Sequence, residues 1–515
     1  MKDRAPASAA SDRALEWALL ANFLVHGLAM LAMALFLLPA LPGGSAPTDA
    51  ARITYIAEHP WLFRAGWLPW QLCAVADLAL AVAMVRVRWL PRAGTSLVLL
   101  FTIIAVMPDQ YAQARWITRG VELAQTDPAA YLAFEREMFP LTAAWGALFY
   151  TLAALGWTYS FAKAGTWSRA LTFLSVPLWS VMLVAVVSPL VPFAVRPSSA
   201  FVSAANGIGF TLLQVWLVLV TEKVLLRARP EETWGRLARW KYPGAGPIAR
   251  AFDLLANSRF TGALLEPLPE LTMRSDIKHV VYVSYLIPAA RAQAMVPPGL
   301  TLQRLGPDGA WALFSFLTYQ HGNFGFALLG PLRRWMPSPV QTNWRIHVEL
   351  PETDVRGIYF LTNAVTHVVP ALSARLLTEG MPMHVLANGK VERSEDGALT
   401  VMLDPGAGSA PDAELSLRPC AAPELTGAWK ECFPDWQSFL KYCVPQDRAM
   451  SSQPLRGRVS RQEINLGIPI SACVPLEGSV TSRRAKEIAG DAEPLCFYVP
   501  RVSFTFEKEI HDPRA

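Results

Sequence analysis

The first half of the chain is a series of long apolar runs, and the second half alternates apolar with polar residues. Apolar runs of roughly 20 residues cross the hydrocarbon core of a bilayer as helices. Six such runs occur, at about 15–38, 67–85, 93–107, 141–161, 170–191 and 201–220. The third is short for a straight crossing, which predicts a tilted or partly re-entrant segment. Trp61, Trp67 and Trp70 sit near the start of the second, where an interfacial aromatic belt belongs. Between the third and fourth runs, residues 108–137 read as an amphipathic helix with Trp116, Val121, Leu123, Leu132 and Phe134 as apolar anchors. Its expected place is the membrane surface. The first run is too long for a signal-peptide core and lacks a clean cleavage site, so a retained helix is expected.

The pattern changes after Leu226. Residues 227–250 are basic and punctuated by Pro and Gly, as a juxtamembrane linker would be. Residues 251–515 are dominated by period-2 alternation and turn signals, which predict strands. The clearest is Val340 to Leu350. Val340, Thr342, Trp344, Ile346, Val348 and Leu350 fall on one face, and Gln341, Asn343, Arg345, His347 and Glu349 on the other. Further strands are predicted at 279–286, 310–318, 357–363, 398–403, 415–417, 456–465 and 497–506, with helices near 289–295, 369–378 and 434–442. Many antiparallel strands with few helices give an α+β or closed-sheet domain. The expected organisation is therefore an all-α six-helix transmembrane bundle over 1–226, a linker, and a mainly antiparallel α+β domain over 251–515.

Composition sharpens this. Of 515 residues, 52% are hydrophobic and 17% charged, well under the roughly 25% of a soluble chain. That deficit, with a net charge of only +5, excludes a disordered chain, a coiled coil and a basic nucleic-acid reader. Arg and Lys concentrate at the N-terminus, after the second and fourth runs, and after the sixth. By the positive-inside rule both termini are cytosolic. The expected location is a cell membrane, of the bacterial inner-membrane type, with the lipid bilayer as one partner and no nucleic acid as another. Cys73, Cys420, Cys432, Cys443, Cys473 and Cys496 form no CxxC pair and no zinc spacing, so reduced thiols are expected and no metal or cofactor is.

Three intramembrane polar residues stand out. Asp77 lies mid-way along the second run, His26 in the first, and Asn206 in the sixth beside Gln214. A carboxyl there is costly unless paired or protonated. One reading is a proton or substrate path, and the other is an interhelical hydrogen bond that aligns the bundle.

The segments Val283-Ser284-Tyr285-Leu286-Ile287-Pro288 and Met295-Val296-Pro297-Pro298-Gly299-Leu300 resemble the opening of acetoacetate-decarboxylase-like proteins, in particular the YqjF-like branch, the DUF2071 family. Residues 372–384 resemble the Gly-Arg-Glu helix and Tyr-Pro-Lys-Lys turn of that superfamily. The resemblance covers about half of the chain, roughly 275–509. It implies a β-barrel-like domain with a central pocket for a small carboxylate or carbonyl compound. The family's imine-forming lysine pair is replaced here by Met383 and His384, so Schiff-base decarboxylation is not expected.

What remains is a pocket built from other groups. Arg345 has the bidentate fork that clamps a carboxylate. Asn343, Gln341, His347 and Tyr319 are the accompanying ligand-binding candidates. His384 and Glu349 are the candidates for acid–base chemistry. An ordinary solvated sheet face and a satisfied histidine are the bland alternatives. Three functions stay open: a membrane-tethered pocket protein, a lyase or isomerase acting on a small oxo-acid, and a structural or transporter-like membrane protein.

Overall fold

The computed structural model describes residues 6–191, 197–228 and 239–513, apart from 266, 269–271, 298, 352, 354, 378–382, 445–446 and 454–457. Of the basic residues at the N-terminus and after the sixth run, Lys2, Arg4, Arg229 and Arg236 lie outside the described residues, as do Pro298, Met381 and Pro382 of the motifs. The chain divides into two compact units, Met1–Ala228 and Arg229–Ala515.

Among the described residues of the first unit six helices are long and apolar enough to cross a membrane: Ala10–Leu37, Pro60–Arg86, Arg92–Thr126, Pro128–Lys163, Arg169–Val187 and Ala200–Leu225. Leu24, Leu28, Leu31 and Leu35 recur at helical spacing and are exposed, an apolar stripe turned away from the other helices. The inner faces bury a cluster that includes Leu80, Met84, Trp157, Phe161, Leu178 and Trp216.

The expectation for residues 93–137 needs correcting. The third span is not short, because the helix beginning at Arg92 runs on to Thr126 through a π-helical turn at Trp116–Gly120. The anchors Trp116, Val121, Leu123 and Phe134 do not spread over a membrane surface. They are buried with Ile53, Ile56, Phe63 and Tyr131 in one cluster, against which Leu132 packs. The short helix Asp49–Glu58 supplies the apolar surface that a lipid headgroup layer was expected to supply. Its Arg52 is buried and binds Glu135 through two hydrogen bonds of 2.9 Å, Asp49 at 2.7 Å and the Ala40 carbonyl at 2.9 Å.

Among the described residues of the second unit fifteen strands form one sheet. They are β1 Met273–Pro288, β2 Thr301–Leu302, β3 Arg304–Leu305, β4 Trp311–Gln320, β5 Gly325–Phe326, β6 Val340–Glu349, β7 Arg356–Val365, β8 Met383–Val385, β9 Asn388–Arg393, β10 Leu399–Asp404, β11 Ala413–Pro419, β12 Arg448–Gln453, β13 Arg458–Leu466, β14 Val474–Thr481 and β15 Leu495–Pro513. The order is β5-β1-β4-β6-β7-β12-β13-β15-β14-β11-β10-β9, and β1 also pairs with β15. Every pairing is antiparallel except β7 with β12 and β7 with β8.

The alternation in β6 sorts its residues as the pattern requires. Trp344, Ile346 and Val348 join Phe314, Phe316, Val283 and Tyr285 in the largest core, where the rings of Trp344 and Phe316 stack at 4.3 Å. The opposite face meets a second core, built from Tyr282, Leu317 and Tyr319 together with Phe433, Phe439, Leu440 and Cys443. The helix Trp436–Cys443 covers this side because Trp436, Phe439, Leu440 and Cys443 share one face. Its N-terminus is capped by Asp435, whose carboxylate accepts from the Ser438 N–H at 2.7 Å.

Part of the expected linker is folded. Trp240 is buried with Met383 and Val385, and residue 241 is strapped to Ser409 by two hydrogen bonds, Lys241 N–H to Ser409 Oγ at 2.7 Å and Ser409 N–H to the Lys241 carbonyl at 3.1 Å. Pro247–Asn257 is a helix. All six cysteines are free, and four of them, Cys73, Cys443, Cys473 and Cys496, are buried.

The Arg52–Glu135 pair yields a stability prediction. Removing one member of a buried ion pair leaves an uncompensated charge and costs about 3–5 kcal/mol. Arg52→Ala is therefore expected to lower the thermal midpoint of the detergent-solubilised chain by several degrees. An unchanged midpoint would show that the pair does not hold these helices together.

Candidate functional site

Burial sets the chemistry of the polar face of β6. Arg345 is only 3% exposed and His347 is fully buried, so the reading of this face as a solvated sheet surface does not hold. Gln341 is buried as well, and Asn343 partly so.

Gln341 and Asn343 are satisfied within a chain of five polar side chains. Ser275 Oγ lies 2.7 Å from His321 Nδ1, and His321 Nε2 lies 2.8 Å from Gln341 Oε1. The Gln341 amide donates to Asn343 Oδ1 at 2.8 Å, and the Asn343 amide donates to the Tyr319 hydroxyl at 3.1 Å. Because Gln341 Oε1 can only accept, His321 carries its proton on Nε2. Burial lowers the His321 pKa to about 4, so the ring is neutral. The expected ligand residues Gln341, Asn343 and Tyr319 thus form a rigid hydrogen-bonded chain. His321, which completes it and lies just after β4, is not one of the expected ligand residues.

Arg345 and His347 are placed differently. The Arg345 Nε–H donates to Ser315 Oγ at 3.3 Å, and its guanidinium lies 5.4 Å from the centre of the Tyr282 ring. Among the described residues no Asp or Glu lies within ion-pair distance of it. Glu349, four positions along the strand, sits 3.8 Å from Arg356 instead. The nearby Cys443 thiol cannot serve as the counter-charge, because burial pushes its pKa up to about 12. Burial likewise raises the Tyr282 hydroxyl. His347 stacks on Tyr442 with ring centres 4.9 Å apart, and neither ring nitrogen has a hydrogen-bond partner. Burial first, and then the Arg345 charge, hold the His347 pKa well below its usual value. The Asn363 Oδ1, on the strand next to Asn343, is also buried without a partner.

His384 does not join this group. In the strand register Thr342 faces Ala364, and Ala364 lies level with His384. His384 therefore shares the Thr342 and Trp344 side of the sheet, while Arg345 points to the other side. Its Nδ1 lies 2.7 Å from Ser409 Oγ, the residue that straps Lys241. Its placement is that of an anchor for the strap.

The polar candidates of the apolar runs do come together. His26, Asp77 and Asn206 line one cavity of about 1040 Å³ within the first unit. Asp109, Gln113 and Tyr150 line it too; Asp109 and Gln113 were missed because residues 108–137 were assigned to a surface helix.

No family model matches the chain, and no curated protein matches it. Solved structures similar to its second half include the enduracididine biosynthesis enzyme MppR complexed with pyruvate, 16% identical over 47% of this chain and 90% of that one, with a TM-score of 0.31. Another is an acetoacetate-decarboxylase-like enzyme from Sphingomonas wittichii RW1, 12% identical over 48% of this chain and 95% of that one, with a TM-score of 0.34.

Among the described residues of the second unit no lysine is buried. Lys278, Lys390, Lys430, Lys441 and Lys486 are all exposed, and the side chain of Lys508 lies outside the described residues. Treatment with pyruvate and borohydride is expected to leave the mass of the chain unchanged, and a stoichiometric lysine adduct would contradict this.

The depressed histidine makes stability depend on pH. With a folded pKa of about 4 against 6.5 unfolded, the unfolded chain binds more protons between those values. The His321 contribution is complete above pH 6.5 and falls by about 3 kcal/mol as the pH drops toward 4. His321→Gln is expected to flatten this slope in pH-dependent thermal unfolding, leaving the part due to His347. An unaltered slope would remove His321 from the account.

Proposed function

We propose that this chain is a multi-pass membrane protein whose second half, on the cytosolic side, holds a small carboxylate or carbonyl metabolite at Arg345 without forming an imine. The observation that carries the reading is the guanidinium of Arg345, almost wholly buried and with no carboxylate of the described residues beside it. Arginine keeps its charge at any physiological pH, and a buried unpaired charge is strongly destabilising. A bound anion supplies the missing partner. The guanidinium takes its two oxygens in parallel hydrogen bonds. His347, two residues along the same face and about 7 Å away, has a neutral ring with an N–H free to donate to a further carbonyl or hydroxyl oxygen. The Ser275–His321–Gln341–Asn343–Tyr319 chain holds the neighbouring wall rigid.

The pairing of β1 with both β4 and β15 supports a barrel-like wrap with this face inside. The motifs at 283–288 and 295–300 support placement in the YqjF-like branch. The Arg and Lys asymmetry supports the cytosolic side.

The test is equilibrium binding of pyruvate and acetate to the full chain in detergent. Arg345→Ala is expected to abolish binding while the protein elutes unchanged from a sizing column. Arg345→Lys is expected to recover only part of the affinity, because the parallel pair of hydrogen bonds is lost. Equal binding by the wild type and Arg345→Ala would refute the assignment.

A further inference from the structure

The 1040 Å³ cavity of the first unit is a separate matter from the Arg345 site. Its volume stands at the top of the roughly 300–1,000 Å³ range of small-molecule sites. Its wall joins two carboxyl groups to a set of aromatic rings. Asp77 comes from the second span, where the Asn22 amide donates to it at 2.7 Å. Asp109 comes from the third, where it accepts from the Gln113 amide at 2.9 and 3.0 Å and from the Tyr150 hydroxyl at 3.4 Å.

These carboxyls are buried among apolar helices, yet among the described residues neither has a Lys or Arg within ion-pair distance. Glu135 also lines the cavity, but its charge is matched by Arg52. Arg136 lines it from an exposed position, and His26 is the remaining basic group on the wall. Polar atoms are left over as well. Gln113 is 3% exposed and its Oε1 has no partner, and the Nε1 atoms of Trp67, Trp70 and Trp116 have none. The rings of Trp67 and Trp116 lie 4.7 Å apart, and Trp70 meets Phe210 edge-on at 5.0 Å.

Carboxyls with no cationic partner, an acceptor left free and several aromatic faces describe one kind of occupant. We propose that this cavity binds an organic cation of largely apolar surface. The charge of such a ligand offsets the cost of keeping Asp77 and Asp109 in a membrane interior. The ring faces of Trp67, Trp70 and Trp116 stabilise it by cation–π attraction, and the remaining apolar wall buries its hydrocarbon. The paired reading of Asp77 as a helix-aligning hydrogen bond to Asn22 accounts for one oxygen of one carboxyl, and leaves Asp109, Gln113 and the volume unexplained.

Tetraphenylphosphonium and tetraphenylborate, matched in shape and opposite in charge, separate charge recognition from greasy partitioning. Equilibrium dialysis of the full chain in detergent against empty micelles is expected to show saturable binding of the cation at one site per chain and none of the anion. Asp77→Asn combined with Asp109→Asn is expected to weaken the cation at least tenfold with an unchanged elution volume. Trp70→Leu, which leaves both carboxyls in place, is expected to weaken it several-fold and provides a second readout should the double variant aggregate. Equal binding of the two probes by the wild type would overturn the proposal. So would undiminished cation binding by the double variant, or no saturable cation binding by the folded wild type. Loss of carboxylate binding at Arg345 would leave these results untouched.

Discussion

The second unit holds a buried charge that no carboxylate of the described residues neutralises. Arg345 sits in the middle of β6, flanked by β4 and β7, with Tyr282 and Ser315 beside it and the helix Trp436–Cys443 over it. Removing a guanidinium from water costs several kcal/mol unless an anion accompanies it. Among the described residues the nearby candidates are otherwise engaged or neutral. Glu349 faces Arg356, the Cys443 thiol stays protonated, and the hydroxyl of Tyr282 is uncharged.

The surrounding structure makes that position definite. One face of β6 is locked into the Trp344–Phe316 core, so the strand cannot slip by one residue without turning Arg345 into hydrocarbon. On the polar face the chain from Ser275 to Tyr319 uses up the groups of Gln341 and Asn343. His347 and Asn363 keep buried atoms without a hydrogen-bond partner, and both lie on the Arg345 face. The first unit repeats the theme with opposite sign, in carboxyls that no arginine or lysine of the described residues attends.

Much of this was legible from residue patterns. The apolar runs located six long helices, and strict alternation placed Arg345 and His347 opposite Trp344 and Ile346. Other features depended on contacts far apart in sequence. Nothing local to Trp116 or Phe134 says that the helix Asp49–Glu58 will cover them, so a surface-lying helix was the natural expectation. The separation of Arg345 from His384 follows from the parallel register of β7 with β8, and β8 is only three residues long. Met-Ser-Ser in β12 and Pro and Gly in β14 hide strands that pairing imposes on weak formers. The role of His321 depends on contacts of the same kind, since its partners Ser275 and Gln341 are 46 and 20 residues away.

The claim that Arg345 awaits an anion is tested most directly by ligand-dependent thermal stability. A ligand that binds only the folded state raises stability in proportion to the logarithm of its concentration once it exceeds Kd. Pyruvate is expected to raise the unfolding midpoint of the second half in this way, whereas pyruvamide, the same shape without the charge, is expected to leave it where it is. Equal stabilisation by both compounds, or by neither at concentrations up to tens of millimolar, would contradict the account.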